Sequence, residues 1–213
     1  MKSVEPLKKW MSPFIFKLAG ALVAFLLITF IPFVLKAEVV TDGTVGLAAA
    51  LSGPAYRIGD DLGTRAGNNL FHSFERFSLQ QQESATFTGP NDIANVISRV
   101  TGGSVSTIDG ILRSEVGTAD FYFINPAGIV FGENARVDVP AAFHVSTANE
   151  IRFAEGSVFS ASDPERSTLS VSRPEAFGYL PQQAASITVN GAILEFKPGG
   201  IPRRRGYNLL RYG

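Results

Sequence analysis

The chain of 213 residues carries 19 Lys+Arg against 19 Asp+Glu, is 45% hydrophobic and contains two histidines and no cysteine. One sizeable core is affordable and a disordered chain is excluded, while the missing thiols rule out disulfide scaffolds, thiolate zinc sites and cysteine nucleophiles. His72 and His144 lie too far apart in sequence for a compact histidine metal pair, so no metal site and no cofactor is expected.

The neutral balance averages three unlike pieces. Residues 1–37 hold five basic groups and one acid, residues 38–199 hold ten basic groups and eighteen acids, and residues 200–213 hold four arginines and no acid. An acidic body argues against nucleic acid as a partner. In the first piece Lys8, Lys9 and Lys17 precede the uncharged run Leu18 to Leu35, and Ala37 follows Lys36. This order is that of a secretory signal with cleavage near Ala37, and an uncleaved membrane anchor is the competing reading. Either reading exports the body.

From residue 38 onward, short β-like runs recur at Ser104 to Ile108, Phe121 to Ile124, Ile129 to Phe131, Arg136 to Val139, Phe143 to Ser146, Ile151 to Phe153, Thr168 to Ser172 and Ser186 to Phe196. Gly, Asn, Asp and Pro separate them, so the body reads as all-β. Asn91 to Val100 fits a helix, with Ile93, Val96, Ile97 and Val100 on one face, and fits a turn and strand equally well. Ile129, Phe131, Glu133 and Asn134 match Ile151, Phe153, Glu155 and Gly156 at an offset of 22. A period near this length suits one coil of a β-solenoid, and a β-sandwich gives a similar rhythm.

Asn125-Pro126-Ala127-Gly128 reads as a tight turn: proline fixes one backbone angle, glycine permits a positive one, and the asparagine side chain can bond the backbone two residues on. Phe71, Phe74 and Phe77 stand three apart, yet read best as large rings in a core, with Asn68 and Asn69 bonding turn backbone. His72 beside Ser73 and His144 near Ser146 lack a GxSxG elbow or other catalytic context, and the pairs Asp60-Asp61 and Asp163 with Glu165 sit among turn residues as solvated loops do.

The segment Phe121-Tyr122-Phe123-Ile124-Asn125-Pro126-Ala127-Gly128-Ile129-Val130-Phe131-Gly132 resembles the amino-terminal secretion domain of the filamentous haemagglutinin family, the exported partner in two-partner secretion. That family carries Asn-Pro-Asn-Gly-Ile here, so Ala127 is a departure. Asn69-Leu70-Phe71-His72-Ser73-Phe74, Ser98-Arg99-Val100-Thr101-Gly102-Gly103 and Ile108-Asp109-Gly110 also match, in the family's order, over roughly Val39 to Pro198.

The resemblance implies a right-handed parallel β-helix over residues 38–199 with an amino-terminal β cap, preceded by a signal peptide at 1–37. It implies a non-enzymatic export domain of an adhesin or haemagglutinin, secreted through the periplasm or held at the outer membrane and cell surface. Its partner would be an outer-membrane β-barrel transporter with periplasmic modules, and downstream repeats would supply any contact with host or cell-surface glycans. Asn125, Pro126, Gly128 and Ile129 form the expected recognition turn, and Asn68, Asn69, Phe71 and Phe74 the second motif. A β-helical carbohydrate-active enzyme or binding module is the alternative. The basic tail 200–213 departs from the family and reads as lying outside the fold, as in a truncated or frameshifted product.

Overall fold

The computed structural model describes residues 38–181 and 184–196. The expected signal segment 1–37 and the basic tail 200–213 lie outside the described residues. The chain enters as an antiparallel hairpin of β1 (Val39–Asp42) and β2 (Ala48–Ala50), then runs through β3 (Ala55–Ile58), a 3-10 turn at Asp60–Leu62 and β4 (Thr64–Ala66). It then winds into rungs. The first contains β5 (Asn69–Phe77) and β6 (Ser84–Phe87); the second β7 (Asn95–Val100), β8 (Ser106–Ile108) and β9 (Ile111–Ser114). The third contains β10 (Asp120–Ile124), β11 (Ile129–Phe131) and β12 (Arg136–Val139). The fourth opens with β13 (Phe143–Ser146), leaves as a separate sheet of β14 (Glu150–Phe153), β15 (Val158–Ser160) and β16 (Pro174–Gly178), and resumes as β17 (Ile187–Val189) and β18 (Ile193–Phe196).

Strands of like position pair in parallel, giving three faces of a β-solenoid of about four turns: β5-β7-β10-β13, β8-β11-β17 and β3-β6-β9-β12-β18. Leu70, Val96, Phe121 and Phe143 stand above one another, so successive rungs take 26, 25 and 22 residues on the first face. The similarity of Ile129 to Ile151 is therefore not the stacking repeat. Ile129 lies between Ser106 and Ile187, while Ile151 belongs to the antiparallel outer sheet. Asn91 to Val100 resolves into a turn and the strand β7, because its apolar residues are buried on two opposite faces and not along one stripe. The run Thr168 to Ser172 is irregular, and β15 and β16 flank it.

Two apolar cores lie on either side of the first face. The interior holds Leu70, Phe74, Phe77, Phe87, Val96, Phe121, Phe123, Phe131 and Val137 among others. Ring contacts run through it at 5.0 Å for Phe74–Phe77, 5.1 Å for Phe77–Phe123 and 4.7 Å for Phe87–Phe121, each adding about 1 kcal/mol beyond its area. Phe74 and Phe77 both turn inward because β1 pairs Thr41 with Phe74 and Val40 with Arg76, leaving Glu75 as the extra residue of a bulge. Outside the same face, Phe71, Ile97 and Ile124 pack under Ile151, Phe153 and Phe159 of the outer sheet. Burial on both sides explains why β7 is inaccessible at all six positions and shows no alternation.

Arg99 of β7 is fully buried in this outer layer. Its Nε donates to Ser73 Oγ at 2.7 Å, Nη2 to Thr44 Oγ1 at 2.8 Å, and Nη1 to both the Ser160 carbonyl and Ser167 Oγ at 2.5 Å, while Cζ sits 4.0 Å above the Phe159 ring. Ser73 Oγ in turn donates to Asp42 at 2.6 Å, and Thr101 and Thr44 hydroxyls reach the same carboxylate at 2.7 Å. One charged network thus ties the entry hairpin, the stack and the outer sheet. Burial lowers the guanidinium to about 10, against the pull of Asp42, and it stays charged at neutral pH. Burial pushes the Asp42 carboxyl up, but the bonds from Ser73, Thr44 and Thr101 outweigh it and hold the group below the usual range.

His72 points into the interior, its ring 5.3 Å from Phe87 and its Nε2 3.1 Å from the Gly59 carbonyl. Burial drives its pKa from 6.5 to about 4, despite that bond and the nearby carboxylates of Asp60 and Asp61.

Two outcomes follow from these buried groups. Arg99→Met keeps the apolar stem but leaves Ser73 Oγ, Thr44 Oγ1 and the Ser160 carbonyl without their donor; a loss of about 3 kcal/mol is expected, read as a lower urea midpoint. An unchanged midpoint would contradict the network. For His72, the unfolded ring binds a proton below about pH 6.5 and the folded ring only near pH 4, so its contribution is complete above about pH 6.5 and is lost as pH falls between the two values. The loss amounts to roughly 3 kcal/mol. Denaturation of the parent and of His72→Gln at neutral pH and at about pH 4.5 measures it: the parent should lose more stability than the variant, and equal losses would refute the assignment.

Candidate functional site

The turn Asn125-Pro126-Ala127-Gly128 forms the corner at which the third rung passes from β10 to β11. Asn125 is fully buried. Its Oδ1 accepts from Ala127 N at 2.9 Å, two residues on, and Gly128 N donates to the Asn125 carbonyl at 3.1 Å, closing the turn. Downward, Nδ2 donates to the Ser104 carbonyl and to Ser106 Oγ, both at 2.9 Å, in the second rung. Upward, Asn125 N donates to the Ser146 carbonyl at 3.1 Å and Ile129 N to the Ser186 carbonyl at 3.2 Å, both in the fourth. One asparagine therefore stitches three rungs. Gly128 adopts φ +119, a conformation open to glycine and strained for other residues.

The same corner is where the outer sheet leaves and rejoins the solenoid. Thr147 Oγ1 donates to the Ala185 carbonyl at 2.8 Å, closing the neck of the excursion, and Ser146 Oγ lies 2.7 Å from Tyr179 Oη. The outward surface of this corner is mixed, with Ser104, Val105 and Ser186 exposed. A methyl placed on Gly128 would lie 3.4 Å from the Ser186 carbonyl, 3.6 Å from Val105 Cγ2 and 3.7 Å from Ala185 Cβ, so the second and fourth rungs close on the third at this glycine. Val105 is 48% exposed, and Leu180, bonded to Asn149 beside the neck, is 41% exposed. Ile129 itself is buried in the interior core.

The second motif does different work. Asn69 is buried and donates from Nδ2 to the Ser170 and Ser172 carbonyls at 2.9 and 2.6 Å, while its Oδ1 accepts from Asn95 Nδ2 at 2.7 Å, one rung above. It therefore fastens the outer segment onto the stack. Asn68 is exposed and donates to the Asp92 carbonyl at 3.0 Å. Phe71 and Phe74, on opposite faces of β5, lie in the outer and inner cores with no exposed surface. In Ser98-Arg99-Val100-Thr101-Gly102-Gly103 the decisive residue is Arg99, whose role sequence reasoning missed. A basic residue inside the apolar run Val96-Ile97-Ser98-Arg99-Val100 was the available signal. Gly102 lies so close to the Glu75 carbonyl of the rung below that a Cβ would stand 2.1 Å from its oxygen.

The chemistry-bearing pairs are not assembled. His72 and Ser73 project to opposite faces, the ring to Gly59 and the hydroxyl to Asp42. The His144 ring stacks on Tyr122 at 4.3 Å, while Ser146 meets Tyr179. Asp60, Asp61, Asp163 and Glu165 are exposed at the two 3-10 turns. An open depression on the outer sheet is lined by Glu150, Arg152, Arg166 and Glu175, but Arg152 and Arg166 engage the Glu150 carboxylate at 2.8 and 3.3 Å. Among the described residues no group of three metal-ligating side chains is present, and no helix is long and apolar enough to cross a membrane.

None of the curated proteins compared with the chain matches it. A family profile described as the TPS secretion domain matches residues 37–199, which includes every strand above. A parallel solenoid with its signature turn at a rung corner, matched along its whole length, makes this chain a member of the two-partner secretion domain family, the exported kind that is paired with an outer-membrane transporter and reaches the cell surface or the medium.

Proposed function

We propose that this domain is the export address of an adhesin or haemagglutinin, that it crosses the periplasm, and that periplasmic modules of the transporter read the corner built on Asn125, Pro126 and Gly128. One observation carries this reading: Asn125 is buried and consumed by holding three rungs together, whereas Val105, packed beside Gly128 at the same corner, is 48% exposed. A β-branched side chain such as Val105 has few rotamers to lose on binding. In this arrangement Asn125, Gly128 and Ile129 shape the corner, and Val105 and Leu180 present apolar surface beside it. Strand addition at a free sheet edge supplies backbone hydrogen bonds for the complex. Contacts with glycans belong to repeats beyond this domain.

Folding can drive export, because each rung needs only the one before it, and an emerging chain that folds outside cannot slide back. A chain without cysteine also forms no periplasmic disulfide that would block threading.

The test separates surface from scaffold. Val105→Glu and Leu180→Glu alter exposed side chains, and each should weaken binding to the periplasmic modules by about tenfold or more, roughly 1.4 kcal/mol, with an unchanged thermal transition. Asn125→Ala should cost about 2 kcal/mol of stability through three lost side-chain bonds, and binding should weaken only as the fold is lost. Full binding by both folded glutamate variants would contradict the assignment of this corner.

A further inference from the structure

Asparagine followed by glycine carries a latent reaction. The glycine amide nitrogen attacks the asparagine Cγ, a C–N bond forms, the nitrogen gives up its proton and ammonia leaves, producing a cyclic imide. Water then adds to either imide carbonyl, opening the ring to aspartate or to isoaspartate. The reaction requires a side-chain amide that nothing holds, a following residue without Cβ to obstruct the approach, and access for water.

The chain has nine asparagines, and Asn190 alone precedes glycine. Asn190 and Gly191 are exposed at the corner between β17 and β18. Gly191 has φ +74 and no heavy atom within 4 Å of the place its Cβ would take. Among the described residues no hydrogen bond engages the Asn190 carboxamide, whereas the side chains of Asn69, Asn95, Asn125 and Asn149 are all engaged. The Asp-Gly pairs, which cyclise by the analogous loss of water, are restrained. Asp42 is held by Ser73, Thr44 and Thr101, and Asp109 accepts from Asn134 N at 3.0 Å.

We propose that Asn190 is a spontaneous modification site, converting through a cyclic imide to aspartate and isoaspartate once the protein is folded and outside the cell. The position gives the change a structural consequence. Asn190 N donates to the Phe131 carbonyl at 2.9 Å, fixing the fourth rung on the third. An isoaspartate adds one backbone atom just after that anchor, where the chain turns toward the in-register pairing of β18 with β12. The added atom and negative charge loosen β18 and leave β17 in place.

Incubation of the full chain at mildly alkaline pH, followed by digestion and peptide mass spectrometry, tests the site. The peptide spanning 190–191 should gain acid before any other asparagine peptide, as two separable products, one of them a substrate for an isoaspartyl methyltransferase. Hydrogen exchange in the modified chain should rise in β18 and not in β12. Asn190→Gln, incubated in parallel, should show neither change. A 190–191 peptide that stays amidated while another asparagine converts first would overturn the proposal, as would conversion in the urea-unfolded chain but not in the folded one.

Discussion

A strand in a parallel solenoid satisfies neither its hydrogen bonds nor its inward side chains alone; both are completed only by the rungs above and below. Everything else in this structure answers to that constraint. Register must be kept at every corner, so Asn125 reaches both neighbouring rungs and Gly102 allows the backbone below to approach. On the first face β5 has no parallel strand beneath it, so β1 and β4 pair antiparallel with it and cover an edge that would otherwise recruit other strands.

The second constraint is lateral. The outward side of β5, β7 and β10 is apolar, and the excursion of β14, β15 and β16 from the fourth rung covers it. Arg99 sits in that seam, a full charge with no exposed surface, held by groups from Thr44 at one end of the fold to Ser167 near the other. A buried charge is costly unless every donor is met. The arrangement therefore favours the state in which hairpin, stack and outer sheet are all present, and the seam closes only after residue 167 has joined. Such late closure gives folding an all-or-none finish.

How much of this was legible in the sequence depended on where each strand lies. β11, β12 and β13 read at their true boundaries because one of their faces meets solvent or a free edge and glycine or proline stands nearby. Asn91 to Val100 was ambiguous for a physical reason: a strand buried on both sides has no period of two, and its apolar residues fall by accident on a helical stripe. Phe74 and Phe77 sit three apart because of a bulge, which no periodicity discloses. The motif asparagine was readable as a turn former, but its contacts with Ser104, Ser106 and Ser146 cross rungs and depend on register. Pairing Ile129 with Ile151 failed for the same reason, since rung lengths vary and an inserted sheet interrupts the count.

The account stands on in-register stacking, and the cysteine-free chain offers a direct measurement. Thr107 and Val130 face each other on adjacent rungs at the outer surface of the second face, with Cα atoms about 4.8 Å apart as neighbouring strands require, within disulfide reach. Cysteines at these two positions should form a disulfide under mild oxidation without loss of fold. A pair at Val130 and Arg152, the positions aligned by the offset of 22, should remain reduced. Formation of the second bridge in a folded chain, with failure of the first, would contradict the stacking on which the whole reading depends.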